Sequence, residues 1–402
     1  MSRPLLSFAV FILVSVSVLG GMHAYLWWRL VRDPSLPEPW RRIATVLLAL
    51  LALGVPLGIF VARLGTGWVA RIAPIAAATW LGIAFVLFST VLAFDLVRLA
   101  GDGLSFILDW MRTRPDPPAD PERRLVLARA LAGGAVLAAG AATAYSMRSA
   151  LGPAHIHEVP VKLERLPPAL SGLTIAQISD LHVGPTLRDA EVRRVVEQTN
   201  ALRPDLVAIT GDLVDGSVPQ LGPAISHLAS LRARYGVVFV TGNHEYYSGV
   251  GPWLAELRRL GVRVLENERV RIGDAGASLD LAGVDDWREA SSGPGGYPGA
   301  LGSALAGRDP DRCLVLLQHQ PRGVDEAVRA GVELQLSGHT HGGQIFPFNF
   351  LVAWAYPYIA GLYRHREPRQ SGQIFVSRGT GFWGPPMRLG SPPEIAKIVL
   401  TR

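Results

Sequence analysis

The sequence predicts an α/β layered domain over 173–402 carried behind four transmembrane helices, and three observations lead to that class. Long uncharged stretches crowd into the first third of the 402 residues. From position 158 onward, short β-branched runs alternate with amphipathic helical patterns. The strongest of these runs each end in a small cluster of Asp, His or Asn.

The uncharged stretches cover 5–28, 43–62, 72–94 and 130–147, within a membrane region expected over 1–148. A helix needs about 20 apolar residues to cross a hydrocarbon core of about 30 Å. The first three satisfy this; the fourth is shorter and rich in Ala and Gly. The loop after the first stretch carries Arg29, Arg32, Arg41 and Arg42, and the loop before the fourth carries Arg98, Arg112, Arg114, Arg123 and Arg124. The N-terminus has only Arg3, and the second loop only Arg63 and Arg71. Positive charge stays on the cytoplasmic side. An integral protein of the plasma (inner) membrane is therefore expected, with both termini and the C-terminal domain on the periplasmic or extracellular side. The pair Arg123–Arg124 before a weakly apolar stretch also resembles a twin-arginine export signal. An ordinary basic helix end gives the same topology.

The formal net charge of +6 fits nucleic acid, an anionic membrane surface or phosphorylated substrates as partners. Nucleic acid is disfavoured, because no basic, aromatic-interleaved stripe exists outside 340–370 and the chain is tethered. Cys313 is the single cysteine, so no intrachain disulfide can form, and its run "RCLVLLQH" reads as buried core.

Residues 149–172 read as a linker and a lead-in strand, with His155 and His157 in "SALGPAHIHEVP" taken as solvated. Strands are expected at 173–179, 205–210, 237–241, 279–284, 314–318, 334–336, 373–376 and 395–400. Between the first two, Val192, Val195, Val196, Thr199 and Leu202 recur at helical spacing. "GPWLAELRRLG" and "PRGVDEAVRAG" are amphipathic helices stopped by glycine, and "SSGPGGYPG" reads as a mobile loop.

Five strands end in "ISDLHVG", "ITGDLVDG", "VTGNHEYY", "LLQHQP" and "LSGHTHGG". Loops at the carboxyl ends of strands are where α/β sheets build sites. Asp180, His182, Asp212, Asn243, His319, His339 and His341 offer carboxylate, imidazole and amide donors without thiolate. That mixture suits Mn²⁺, Fe²⁺ or Zn²⁺. Seven ligands exceed one tetrahedral site but fit two adjacent divalent metal ions if one carboxylate bridges them. Such a pair can bind phosphate, activate water and stabilise an in-line displacement. In D-x-H and H-x-H, extended backbone would point residues i and i+2 the same way.

The ordered set "SDLHVG…GDLVDG…GNHEYY…QHQP…SGHTHGGQ" resembles the calcineurin-like metallophosphoesterase superfamily over about 170–400, and its membrane-anchored subgroup in particular. The resemblance implies a four-layered α/β/β/α sandwich. It implies that Asp180, His182 and His341 bind one metal, that Asn243, His319 and His339 bind the other, and that Asp212 bridges them. It implies that His244 contacts the phosphate or protonates the leaving oxygen.

The segment after these histidines crowds Phe346, Phe348, Phe350, Trp354, Tyr356, Tyr358 and Tyr363 together, followed by Arg364, Arg366 and Arg369. It reads either as a core lid or as an apolar surface facing lipid. Arg378 and Arg388 are candidates for binding a second phosphate, and Asp285 and Asp286 read as strand-end turn carboxylates. The expected activity is hydrolysis of a phosphodiester, pyrophosphate or phosphomonoester on a lipid-linked or envelope small molecule. UDP-2,3-diacylglucosamine is one such substrate that the resemblance suggests. Alternatives are a broad phosphodiesterase on cell-wall polymers or phospholipids, and a non-enzymatic metal-binding membrane scaffold or sensor.

Overall fold

The computed structural model describes residues 3–64, 67–112, 120–274, 276–292 and 296–402. The chain divides into two compact units, Met1–Met147 with Gly384–Pro386, and Arg148–Trp383 with Met387–Arg402.

The first unit is helical: α1 (Arg3–Trp27), α2 (Trp40–Leu64), α3 (Gly67–Arg112) and most of α4 (Pro121–Leu151). Among the described residues, three segments are long and apolar enough to cross a membrane: Trp40–Val61, Gly67–Ser105 and Pro121–Leu151. The sequence reading expected four. The first expected stretch falls on α1, and most side chains of its first three turns lie outside the described residues. Helix α3 also runs on through Arg98 to Arg112 instead of ending near Phe94. Large apolar residues such as Leu47, Leu50, Leu53 and Leu137 point outward, the reverse of a water-soluble bundle. The helices meet through small residues and a narrow apolar seam of Met22, Leu26, Ala84, Val91 and Ala135. At Gly58 an added Cβ would lie 2.5 Å from Ala77 Cβ, so only glycine lets α2 and α3 approach this closely. Just beyond α1, Arg29 Nε donates to Asp95 Oδ2 of α3 at 2.8 Å.

The second unit holds two six-stranded sheets. Its twelve strands are β1 (His155–Lys162), β2 (Thr174–Ile178), β3 (Leu206–Thr210), β4 (Val237–Val240), β5 (Arg263–Val264), β6 (Glu268–Asp274), β7 (Ala277–Gly283), β8 (Leu314–Leu317), β9 (Leu334–Ser337), β10 (Gly361–Glu367), β11 (Gln370–Val376) and β12 (Glu394–Thr401). One sheet has the order β1-β12-β2-β3-β4-β5, the other β10-β11-β9-β8-β7-β6. Both are mixed: β12 runs antiparallel to β2, and β6 and β10 run antiparallel to their neighbours at the edges of the second sheet.

Strand periodicity explains the layering. In β3, Leu206 and Ala208 join a core shared by both sheets, while Val207 and Ile209 face the opposite side. In β8, Val315 and Leu317 face the shared core, and Leu314 and Leu316 face away. Cys313 is buried in that shared core. Outside the first sheet pack α5 (Asp189–Ala201), α6 (Val218–Ile225) and α8 (Val250–Arg259), through Val192, Ile225, Trp253 and Leu257. The short α7 (Asn243–Ser248) precedes α8. Outside the second sheet, Tyr297 and Leu301 of α10 (Gly296–Leu305) and Ala327 of α11 (Val324–Arg329) pack on Ala282 and Leu316, after the short α9 (Trp287–Ser292). The central strands are buried on both faces and so read as continuous apolar runs.

All eight expected strands are present, with ends shifted by at most three residues. Three more, β5, β6 and β10, escaped the sequence reading. β6 interleaves charged and apolar residues and β10 runs into consecutive polar ones, both at sheet edges, and β5 is only two residues long. β1 is the lead-in strand expected within 149–172, and it pairs in parallel with β12. "SSGPGGYPG" is not simply a loop: α10 begins inside it, and buried Tyr297 donates to Gln318 Oε1 at 2.5 Å.

Beyond β7, Asp285 is tied to the chain before β6, accepting from Asn267 Nδ2 at 2.6 Å. Burial pushes its carboxyl up to about 6 from 3.8. The folded state therefore binds more protons than the unfolded state between those values, and stability falls as pH rises through that window. Asp285→Asn is expected to melt at the same temperature as the parent near pH 4. At pH 7 it should be the more stable, by at most about 3 kcal/mol. Melting curves at the two pH values check this.

Candidate metal centre

Five loops leave the carboxyl ends of β2, β3, β4, β8 and β9 and bring the sequence-predicted residues together. Asp180 and His182 follow β2, Asp212 follows β3, Asn243 opens α7 after β4, His319 follows β8, and His339 and His341 follow β9. Asp180, His182 and His341 form one group and Asp212, His319 and His339 another, with the ligand atoms of each within 4.8 Å of one another. His182 Nε2 lies 3.1 Å from His341 Nε2, and His319 Nε2 lies 3.2 Å from His339 Nδ1. Asp212 Oδ2 reaches both groups, 3.1 Å from His319 Nε2 and 3.8 Å from His182 Nε2.

The backbone achieves this convergence differently from the expected strand alternation. Asp180 (φ 52), His182 (φ 50), Asp212 (φ 51), His339 (φ 74) and His341 (φ 52) all adopt left-handed conformations. Each such non-glycine residue costs on the order of 1–3 kcal/mol and persists only where its surroundings dictate it. Hydrogen bonds supply that constraint: Asp180 N–H donates to Gly211 O at 3.0 Å, His182 N–H to Asp212 O at 3.1 Å, and His339 N–H to Asp180 Oδ1 at 2.9 Å. The motif glycines are needed for room. A Cβ on Gly242 would sit 2.2 Å from Asp212 Oδ1, and one on Gly338 2.2 Å from Asp180 Oδ2.

The donor set fits divalent cations. Asn243 Oδ1 is buried without a hydrogen-bond partner, so it is a carbonyl oxygen left free to coordinate. Imidazole nitrogens facing each other at 3.1–3.2 Å are likewise satisfied if a cation takes their lone pairs. Burial drives His339 down to about 3, and burial with Arg388 nearby drives His341 well down, so both are neutral ligands. Burial opposes ionisation of Asp212, but His319, His182 and His244 outweigh it and hold the carboxyl below its usual range. Burial likewise disfavours protonated His182 and His319, yet Asp215 and Asp212 respectively hold them above the ordinary value, so a cation binding there displaces protons.

Four residues support the ligands, and two of them, Asp215 and Glu245, were not singled out from the sequence. Asp215, second carboxylate of "GDLVDG", has Oδ1 at 3.1 Å from His182 Nδ1 and 2.6 Å from His244 Nδ1. It thereby sets which nitrogen of each ring faces the centre. Glu245, of "GNHE", is wholly buried and accepts the N–H groups of Asp212 (3.0 Å), Leu213 (2.7 Å) and Gly242 (2.7 Å). Burial and the neighbouring Asp212 push its carboxyl up to about 7. Tyr356 Oη lies 2.8 Å from His339 Nε2, which leaves Nδ1 for the centre. Arg388 is the fourth, in a role other than the one expected for it.

The expectation that Arg388 binds a second phosphate is corrected. Arg388 is wholly buried, donating Nε to Gly381 O at 3.0 Å and Nη1 to the carbonyl of His341 at 2.9 Å. Its Nη2 lies 3.1 Å from His341 Nδ1, so it orients that ring. Arg378 donates Nη1 to Glu394 Oε2 at 2.7 Å. Asp286 accepts from Gln320 Nε2 at 2.8 Å, a structural turn as expected.

His244 stands at the edge of the centre, with Nε2 3.9 Å from Asp212 Oδ2 and its N–H donating to Asp212 Oδ1 at 2.9 Å. The exposed rings of Tyr247 and Trp383 lie 5.3 and 5.8 Å from its centroid. The reading of the aromatic segment as a core lid holds only in part: Tyr358 and Tyr363 pack against Val324, Val328, Ile374 and Val376, but α12 (Asn349–Ala355) buries no residue.

Residues 173–343 match the calcineurin-like phosphoesterase family. The chain is 40% identical over 303 residues to the transmembrane protein with metallophosphoesterase domain of Bos taurus, covering 73% of this chain and 67% of that one. The Danio rerio protein of the same description is 33% identical over 414 residues, covering 99% and 91%. A metallophosphoesterase of Campylobacter jejuni is 30% identical over 399 residues, covering 98% of each.

Glu245→Ala removes one acceptor from three buried N–H groups, and each orphaned group costs about 1–3 kcal/mol. The variant is expected to melt several degrees lower and to bind fewer divalent ions per chain, with Glu245→Gln intermediate. Calorimetry with elemental analysis checks this; parent-like metal content in Glu245→Ala would refute the anchoring role.

Proposed function

The chain belongs to the calcineurin-like metallophosphoesterases and is a phosphate-ester hydrolase, and from that premise we propose how its residues divide the work. The observation that carries the reading is two ligand groups sharing the single carboxylate of Asp212. Asp180, His182 and His341 would hold one divalent ion, and Asn243, His319 and His339 the other, with Asp212 between them. When bound, such ions, of the Mn²⁺, Fe²⁺ or Zn²⁺ kind, supply Lewis acidity toward water and toward the phosphoryl oxygens.

The chain's own part lies with His244. Asp215 accepts from its Nδ1, so Nε2 faces the centre. From there His244 donates a proton to the departing oxygen of the ester. Asp212 holds the His244 backbone by the N–H bond and keeps the ring in register with the ligands. Arg388 and Tyr356 fix the rings of His341 and His339 without entering the reaction.

The substrate class we propose is an amphiphilic phosphate ester. Membrane-length helices in the same chain and the exposed aromatic residues around 346–354 support that class. We further propose α1 as a fourth membrane segment and, from the arginine distribution, the periplasmic or extracellular side for the catalytic domain. A protease-protection assay on sealed vesicles tests the sidedness.

Purified full-length protein is expected to hydrolyse bis(p-nitrophenyl) phosphate only with added divalent metal. His244→Ala should lose about 10²–10⁴-fold in rate while keeping its metal. Asp212→Ala should lose both turnover and metal; hydrolysis retained by that variant would sink the shared-carboxylate reading.

A further inference from the structure

Between 342 and 363 the chain contains no Asp, Glu, Lys or Arg. In a water-facing rim such a run would normally fold its apolar groups inward. Here Phe346, Phe350, Leu351 and Trp354 are 51%, 65%, 61% and 90% exposed. Contiguous exposed apolar patches of this kind mark an interaction surface.

The segment is firmly rooted. Phe346 N–H donates to Leu389 O at 2.9 Å, Thr340 Oγ1 donates to Ile359 O at 2.6 Å, and Tyr356 Oη sits 2.8 Å from His339 Nε2. The segment carrying α12 thus leaves the metal centre just past His341 and returns to it where Tyr356 meets His339. At seven residues, or about 10 Å at 1.5 Å per residue, it is too short to span a bilayer.

Immediately after it comes β10, an edge strand whose exposed positions include Leu362, Arg364 and Arg366, with Arg369 in the following turn. An apolar tip followed by a basic band is the pattern of a segment lying in a membrane interface, with apolar side chains below the headgroups and cations among them. The occupant is identified by the chain itself, because its membrane-length helices keep a bilayer permanently at hand.

We propose that 344–369 is a bilayer-docking element, with Phe346, Phe350, Leu351 and Trp354 entering the outer part of the leaflet and Arg364, Arg366 and Arg369 binding anionic phosphate headgroups. Its consequence for catalysis rests on the phosphoesterase reading: the metal centre is then served from the membrane surface, so an ester anchored in the bilayer reaches it without leaving the lipid.

The test does not depend on turnover. Cys313 is wholly buried, so Phe350→Cys in the full-length chain places one accessible thiol at the tip for an environment-sensitive fluorophore. The protein is reconstituted at one copy per nanodisc in phosphatidylglycerol lipid. The expected result is strong quenching by lipids carrying a nitroxide near the headgroup, and weak quenching by aqueous iodide. Adding Leu351→Asp and Trp354→Asp should reverse that order, and Arg364→Glu with Arg366→Glu should weaken lipid quenching several-fold. Iodide quenching without nitroxide quenching would overturn the proposal. So would a label shielded only when two copies share a disc, which would make the patch a self-association surface. If docking holds but no phosphoester is hydrolysed, the functional reading fails and the docking element stands.

Discussion

Asp212 sits where five loops must meet, and its carboxylate is answered from every side. Oδ1 accepts the N–H of His244 at 2.9 Å, while Oδ2 faces His319 at 3.1 Å and His182 at 3.8 Å. Its own N–H is held by Glu245. A carboxylate so buried is held ionised by the three imidazoles around it, His319, His182 and His244. The two ligand groups, the orientation of His244 and the depth of the site all follow from this one group.

The sandwich makes that meeting possible. β2, β3 and β4 belong to one sheet and β8 and β9 to the other, so a shared apolar core aligns the carboxyl ends of both. His319 and His339 then reach across to residues of the first sheet. The crossing is close: His319 Nδ1 lies 2.7 Å from the carbonyl oxygen of Thr210, and the N–H of His339 reaches Asp180. Left-handed turns at five residues are the strain that this closeness demands, and the buried hydrogen bonds of Glu245 and Arg388 hold it in place.

Around this rigid centre the surface is of two kinds. On one rim, His244 stands between exposed aromatic rings. On another, the chain leaves His341 for an uncharged excursion that returns at Tyr356 with most of its apolar groups outside the core. A soluble domain would lose solubility by such a display. A domain joined to membrane helices has a place to put it.

Much was legible in the sequence because local patterns carry it. Uncharged stretches of membrane length, the eight apolar strand runs and the seven candidate ligands at strand ends were all readable, since strand polarity and side-chain chemistry are local properties. The edge strands β6 and β10 were not, because a strongly charged edge looks like a solvated loop until a neighbour pairs with it. Asp215 and Glu245 lay inside recognisable motifs, yet their partners are 29–33 residues away or across a turn, and no spacing rule shows which atoms they satisfy. Arg388 shows the limit most clearly. Its type suggested a phosphate ligand, but burial spends its donors on backbone carbonyls and on His341. The sequence by itself determined the chemistry available and the order in which it appears along the chain. Only the tertiary structure decided which groups face one another, because hydrogen-bond partners and burial are properties of packing between distant segments.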